Sequence, residues 1–287
     1  QICEWIWSGI IGDVHTVHAW TNRPVWPQGI ATRPADKPPI PDTLSWDIWL
    51  GPAPYRDYHP NSLPFNWRAY WDFGTGALGD MACHIIDPVF MALRLRYPVS
   101  VEASCSTFVS PEKRWEKVVN NETFPDASII HYKFPARAGM PPVELIWYDG
   151  GLQPVRPEEL EQNEEMGRGG SGVIFEGTRG KLMCGTYGDN PTLLPTWKMK
   201  YFEQPPKVLP RIEGNHEQNW AAACKGGEPA CSNVDYSGLL TETVVMGNLA
   251  IKYPNRKLEW DGENMRVTNF PEANDFVQMH YREGWQL

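Results

Sequence analysis

Five stretches with strand character follow one another between residues 99 and 185 without a helix between them. They cover 99–108, 127–134, 143–148, 172–176 and 181–185, and they contain many β-branched, aromatic or other apolar residues. Parallel neighbours need a long crossover, usually a helix, whereas antiparallel neighbours need only a short turn. The succession therefore argues against a doubly wound parallel sheet. It predicts an α+β fold with a large, mostly antiparallel open sheet and helices packed on one face.

The other segments surround this predicted sheet. Apolar residues at helical spacing predict a helix over 76–95, further helices over 214–224 and 236–253, and a terminal helix from Pro271. Residues 2–8 read as the last turns of a helix, 14–20 as a strand, and 257–268 as a strand pair. The proline-dense stretch 23–64 predicts a long loop with one helical island at 42–50. We expect 157–170, acidic and then glycine-rich, to be an exposed excursion with little fixed structure.

Composition excludes several classes of protein. The formal net charge is −9 with 26 basic residues, which gives no basic footprint for nucleic acid. No apolar run approaches the roughly 20 residues that span a bilayer, so no membrane partner is expected. Six cysteines without regular spacing are interpreted mostly as buried thiols, with a bridge such as Cys224 to Cys231 left open. Fourteen tryptophans fit either a large core or sugar-stacking surfaces.

The predicted helix over 76–95 carries the clearest chemical pattern. Asp80, His84 and Asp87 are spaced i, i+4 and i+7, so they share one face and a carboxylate can contact the imidazole. Such a contact fixes the tautomer and leaves the other ring nitrogen free to take a proton. From the spacing alone, two alternatives stay open. Asp80 can cap the helix while His84 is a core histidine, or the three residues can hold a metal ion.

The stretch G-A-L-G-D-M-A-C-H-I-I-D at 76–87 resembles the corresponding helix of the glucose-fructose oxidoreductase / inositol dehydrogenase (Gfo/Idh/MocA) family. Further matching stretches lie at 8–14, 20–24, 46–53, 65–68, 258–262 and 281–285. The likeness extends over essentially the whole chain, and these stretches together are more specific than the helix alone. The resemblance implies a two-domain enzyme, with a Rossmann domain for NAD or NADP followed by an α+β domain whose open sheet often forms an oligomer interface.

The resemblance also implies roles for the residues of this helix. His84 becomes the general acid/base that takes a proton from a sugar or polyol hydroxyl as hydride leaves the same carbon. Asp80 would orient His84 or relay the proton. The predicted function is thus the substrate-binding portion of an NAD(P)-dependent sugar or polyol oxidoreductase, which in its full-length form is an enzyme and a homo-oligomer through the sheet face.

Two departures from the family pattern limit this prediction. The G-x-G-x-x-G fingerprint after a first strand is absent, because no strand precedes Gly74, Gly76 and Gly79. The family's Glu-Lys-Pro motif is absent as well. We therefore expect NAD or NADP to be bound mainly by a missing N-terminal Rossmann domain, with no cofactor-binding residues and no metal site in this chain. Residues 1–12 would end the linking helix, and 13–287 would form the substrate-binding and oligomerisation domain, inactive by itself.

Candidate substrate contacts lie beside the helix and at the end of the first predicted strand. Aromatic faces next to Arg, Asn and Asp hydrogen-bonding groups suit a sugar pocket. The predicted set is Asn22, Arg23, Trp67, Arg68, Tyr70, Trp71, Asp72 and Asp87. Two alternatives remain at this point, an NAD-dependent glycoside-cleaving enzyme of the same family and a non-catalytic carbohydrate-binding module. The sequence names neither the sugar nor the compartment, which can be cytoplasmic or periplasmic.

Overall fold

The computed structural model describes residues 1–30, 32–109, 115–118 and 120–286. Its centre is a nine-stranded sheet with the order β11-β10-β2-β5-β6-β1-β7-β8-β9. These strands are β1 (Val14–Trp20), β2 (Ser100–Cys105), β5 (Ser128–Phe134), β6 (Val143–Tyr148), β7 (Gly172–Gly177), β8 (Gly180–Cys184), β9 (Thr192–Leu194), β10 (Leu258–Asp261) and β11 (Arg266–Val267). A separate two-stranded ribbon joins β3 (Phe108–Val109) to β4 (Lys117–Val118).

Strand pairing is almost entirely antiparallel, as the succession of strands predicts. The β7–β8 pair is a hairpin that closes over a short turn, with Gly177 opposite Gly180. In the described part of the chain the one parallel pair is β1 with β6, in which Val17 lies opposite Leu145. This parallel pair is not apparent in the sequence, because the two strands are more than a hundred residues apart. The short turns between later strands do not predict where β1 pairs.

Three helices pack on one face of the sheet. They are α1 (Ile2–Trp7), α3 (Gly76–Ala92) and α5 (Val234–Lys252), and their apolar stripes form one core with the inward residues of the central strands. Alternate residues of each strand face this core, for example Ile130, Tyr132 and Phe134 of β5. The predicted fold class, a mostly antiparallel open sheet with helices on one face, is confirmed.

Three predicted segments differ from the structure. The helix over 76–95 ends at Ala92, and the terminal helix from Pro271 is only a 3-10 turn that ends at Phe276. The segment 157–170 is not without fixed structure, because Leu160 is buried in a small cluster with Trp20 and Ile174. Glu158, Glu161 and Glu165 are exposed as expected. Glu159 pairs with Lys181 and Glu164 accepts a hydrogen bond from Thr196, so polar contacts and the burial of Leu160 together fix the segment.

The remaining helices are short or lie at the surface. They are α2 (Trp46–Leu50) in the proline-dense loop and α4 (His216–Cys224), which begins with a capping box between Asn215 and Gln218. All six cysteines are free thiols, and Cys224 and Cys231 are exposed. Within the described residues we find no helix with the length and apolar character needed to cross a bilayer.

Candidate functional site

Helix α3 places the predicted catalytic pair on the molecular surface. His84 is exposed, and its ring contacts Tyr187 edge to face with centroids 5.3 Å apart. Asp80 lies one turn earlier with its side chain 26% exposed. An exposed imidazole on a rigid helix can exchange protons with a bound molecule, so His84 is not a core histidine.

Asp80 is held by an arginine and not by His84. The Nε of Arg68 donates a hydrogen bond of 2.9 Å to the Oδ1 of Asp80, and among the described residues no hydrogen bond or ion pair joins Asp80 to His84. The side-chain contact that the i, i+4 spacing allows is therefore not made in this structure. The arginine competes for the carboxylate because a charge-assisted bond is stronger than one to a neutral ring.

Arg68 itself is fixed by aromatic rings. It belongs to a 3-10 turn over Asn66–Ala69, and its guanidinium lies 4.4 Å from the ring centroid of Phe65 and 4.7 Å from that of Trp67. A third ring, that of Trp26, lies 5.9 Å away. Cation–π contacts of this kind hold a guanidinium in one orientation. The result is an exposed patch in which a positive charge, a carboxylate and an imidazole lie near aromatic faces.

The glycines before and within α3 are required by contacts inside the chain. A Cβ at Gly74 would lie 2.4 Å from the carbonyl oxygen of Arg68, and one at Gly76, where φ is +63°, would lie 2.7 Å from the ring of Phe124. These positions therefore let the backbone approach Arg68 and Phe124 closely. They do not form a phosphate cradle, and the part of the chain that the structure describes contains no βαβ unit around them.

Asp87 faces another helix. It accepts a hydrogen bond of 2.6 Å from the hydroxyl of Tyr236 on α5, and burial together with this bond raises the pKa of Tyr236. The three polar residues of α3 thus have three different neighbours: Arg68 for Asp80, Tyr187 for His84 and Tyr236 for Asp87. Across the described residues, no group of three His, Cys, Asp or Glu side chains converges as a metal site would require.

Asp72 is neutralised by two arginines from the proline-dense loop. Its Oδ2 accepts bonds of 2.7 Å from Nη2 of Arg33 and from Nε of Arg56, and the bond to Asp72 raises the pKa of Arg56. Arg33 also lies over the ring of Tyr70, which is buried, and burial raises the pKa of Tyr70. Asp72 and Tyr70 therefore hold the loop in place on the outside of α3.

The other predicted substrate residues lie apart from this patch. Trp71 packs on Phe124, with ring centroids 3.7 Å apart, and donates to the carbonyl of Thr123. Asn22 is exposed at the end of β1, where it donates to the carbonyl of Gly169, and the carbonyl of Arg23 accepts from Gly150. The structure joins Arg68 to Asp80 and to the ring of Trp67, with His84 one helical turn from Asp80 beside Tyr187. It places Asn22, Arg23 and Trp71 elsewhere.

Sequence reasoning missed four residues that shape the patch. Arg33 and Arg56 fix Asp72, Trp26 supplies one ring around Arg68, and Tyr187 covers one side of His84. The density of aromatic and basic residues in the loop 23–64 was the available signal. This density does not predict which residue any of them contacts, since each contact joins residues that are distant in sequence.

Comparison with known proteins gives one sequence match and several structural ones. A family model described as the oxidoreductase family, C-terminal alpha/beta domain, matches residues 10–124. No curated protein sequence matches the chain.

Similar solved structures include an oxidoreductase from Thermotoga maritima (12% identity, TM-score 0.46, covering 90% of this chain and 57% of that one). Levoglucosan dehydrogenase in complex with NADH is 18% identical (TM-score 0.42, 90% and 61%). An aldose-aldose oxidoreductase from Caulobacter crescentus complexed with glycerol is 14% identical (TM-score 0.39, 90% and 59%). The chain thus spans about three fifths of the length of these proteins. The match of residues 10–124 to this family model agrees with the predicted resemblance.

Proposed function

We propose that this chain is the substrate-binding part of an NAD(P)-dependent sugar or polyol oxidoreductase, with His84 as the general acid/base. The observation that carries the proposal is the exposed imidazole of His84 on α3, one turn from a carboxylate that Arg68 holds in place. In this proposal a ring nitrogen of His84 accepts the proton of a substrate hydroxyl. Asp80 positions Arg68 through the hydrogen bond between them, and Trp67 offers an aromatic face to the sugar.

The described residues do not fit a dinucleotide cofactor. The space beside Gly74 and Gly76 is occupied by Arg68 and Phe124, and the sheet is mostly antiparallel. We therefore assign binding of NAD or NADP to a Rossmann domain elsewhere in the whole protein, to which residues 1–12 would link.

The partners in this proposal are a small sugar or glycoside and a second copy of the protein. The sheet face opposite the helices carries half-exposed residues such as Ile129, His131 and Glu144, and this open face is the proposed oligomer surface. Cross-strand pairs on it are polar, with Nδ1 of His131 3.0 Å from Oε1 of Glu144. A face of this mixed character suits a subunit interface better than a buried core.

The test is His84→Ala in the whole protein with its cofactor-binding domain. Loss of a general base should lower turnover about 10²-fold to 10⁴-fold while leaving the fold unchanged. The matched control is His280→Ala, which removes an exposed histidine outside α3 and should leave turnover unchanged. Near-normal turnover of His84→Ala would remove His84 from the mechanism.

Two further measurements separate the alternatives. A net change of NADH during turnover supports the dehydrogenase, whereas an unchanged balance with substrate cleavage supports the glycoside-cleaving relative. The 287-residue chain alone should bind no NADH in calorimetry. Sugar binding by this chain alone that His84→Ala leaves unaffected would favour a non-catalytic carbohydrate-binding module instead.

A further inference from the structure

A second candidate site lies away from Asp80 and His84. A cavity of about 290 Å³ is enclosed by the residues before α3, one face of α5, the β10–β11 hairpin and the turn after it. Its walls are mostly apolar and include Trp71, Phe124, Met246, Leu249, Trp260 and Phe276. The volume is near the lower end for small-molecule sites, roughly 300 Å³, and aromatic walls of this kind favour a planar ring.

Lys252 lines this apolar cavity and also a neighbouring one that contains Asn121. Its Nζ lies 5.0 Å from the ring centroid of Trp71 and 5.1 Å from that of Phe276, and its only hydrogen bond among the described residues is a long one of 3.4 Å to Asn121. No carboxylate of the described residues forms an ion pair with it. Burial lowers the pKa of Lys252, and the negative charge of Asp72 acts in the opposite direction.

Asn248 lies one turn before Lys252 on α5 and also lines the cavity. Its Nδ2 donates a bond of 3.3 Å to the carbonyl of Thr75, and its buried Oδ1 has no hydrogen-bond partner within the described residues. This oxygen is an acceptor, so an anion does not satisfy it. The groups that an anion can use are donors, namely the second hydrogen of Nδ2 and the ammonium of Lys252.

The other charged residue among those lining the cavity is Glu242, at its opposite end. Its Oε1 accepts a bond of 2.9 Å from Nε1 of Trp260, and burial raises the pKa of Glu242. Ten residues separate it from Lys252, which is about 15 Å along a helix axis. At that distance a second negative charge near Lys252 is only weakly repelled.

We propose that this cavity binds a small aryl carboxylate, with its carboxylate at Nζ of Lys252 and Nδ2 of Asn248 and its ring between the aromatic walls. The carboxylate and the ring of the ligand each have a counterpart in the cavity. The anion supplies the counter-ion that Lys252 lacks, and the ring replaces water against apolar side chains. The site is separate from the proposed oxidoreductase chemistry, because neither Asp80 nor His84 lines it.

The probe is phenylacetate, and its neutral isostere phenylacetamide tests whether charge is recognised. In calorimetry with the 287-residue chain we expect phenylacetate to bind with a Kd on the order of 1 mM or tighter. Phenylacetamide should bind about tenfold or more weakly, because a hydrogen bond to a charged group contributes more than a neutral one. Lys252→Met should abolish this difference in affinity between the two probes, and Lys252→Arg should keep it.

The matched control is Lys200→Met, which makes the same chemical change at an exposed lysine beside Tyr201 and should bind both probes as the natural protein does. Circular dichroism of each variant establishes that it is folded. Three outcomes overturn the proposal: no phenylacetate binding at about 10 mM, equal binding of the two probes by the natural chain, or full discrimination by a folded Lys252→Met variant.

Discussion

At the residue scale, Arg68 determines the arrangement of the candidate catalytic patch. It bonds to Asp80 on α3, and it is held from its own side by the rings of Phe65 and Trp67. The sequence places Arg68 and Asp80 twelve residues apart, one in a loop and one in a helix, so neither periodicity nor spacing predicts the bond. Because the arginine takes the carboxylate, the orientation of His84 does not depend on a contact with Asp80.

We expect Arg68→Met to lower the free energy of unfolding by about 1–2 kcal/mol, since it loses an ion pair and cation–π contacts that are partly exposed. Urea denaturation measures this value. A double-mutant cycle with Asp80→Asn isolates the pair, and its coupling should be about 0.5–1 kcal/mol because both side chains are 26% exposed. A coupling of zero would mean that the bond does not form in solution.

At the element scale, the end of β6 is closed by a buried carboxylate. Asp149 is 2% exposed and accepts hydrogen bonds from the backbone and hydroxyl of Ser128 and from Nε1 of Trp147. It thereby joins β5 to β6, which pair through six residues on each strand. The sequence predicts both strands but not this carboxylate, because Asp149 follows β6 as an ordinary turn residue would.

Burial raises the pKa of Asp149 from 3.8 to about 6, although its hydrogen-bond donors oppose the shift. Between these two values the folded protein keeps a proton that the unfolded chain has released, so stability falls as the pH rises through this window. This contribution amounts to roughly 3 kcal/mol. The Asp149→Asn variant should lose this pH-dependent contribution. Urea denaturation from about pH 4 to pH 7 measures the free energy of unfolding that shows the loss.

The control for this prediction is Asp42→Asn, which removes an exposed carboxylate from the loop. It should leave the pH dependence of stability as it is in the natural protein. An Asp149→Asn variant whose stability changes with pH as steeply as the natural protein would show that another group is responsible.

At the scale of the whole molecule, the C-terminal segment fixes the long loop. Arg282 donates to Oδ1 of Asp47 at 2.7 Å, to the carbonyl of Gly51 at 2.9 Å and to that of Ala53 at 3.2 Å. Its backbone N–H also donates to the carbonyl of Pro52. Two segments that match the family pattern, 46–53 and 281–285, therefore contact each other, more than two hundred residues apart in the chain.

We expect Arg282→Ala to lower the free energy of unfolding by about 1–3 kcal/mol, because several carbonyls lose a charged donor. It should also speed protease cleavage within 46–55 and 277–286, since both segments lose their common anchor. Limited proteolysis followed by mass spectrometry measures this. Arg266→Ala is the matched control, because Arg266 is 62% exposed and bonds to Asp261 within its own hairpin. Equal cleavage of both variants would contradict the prediction.

The sequence by itself determined the local elements and the resemblance to a family. Strand and helix periods arise from neighbours a few residues apart, which is why β5, β6, β7 and α3 fall where the patterns predict. The antiparallel succession likewise follows from short connections. The stretch at 76–87 pointed to the oxidoreductase family that matches residues 10–124.

Only the tertiary structure decided which side chains meet. The parallel pairing of β1 with β6, the bond between Arg68 and Asp80 and the position of Lys252 among aromatic rings all join distant residues. No local period encodes such contacts, because they depend on how the whole sheet and its helices pack. The positions of the candidate groups could be read from the sequence, but the partners that set their chemistry could not.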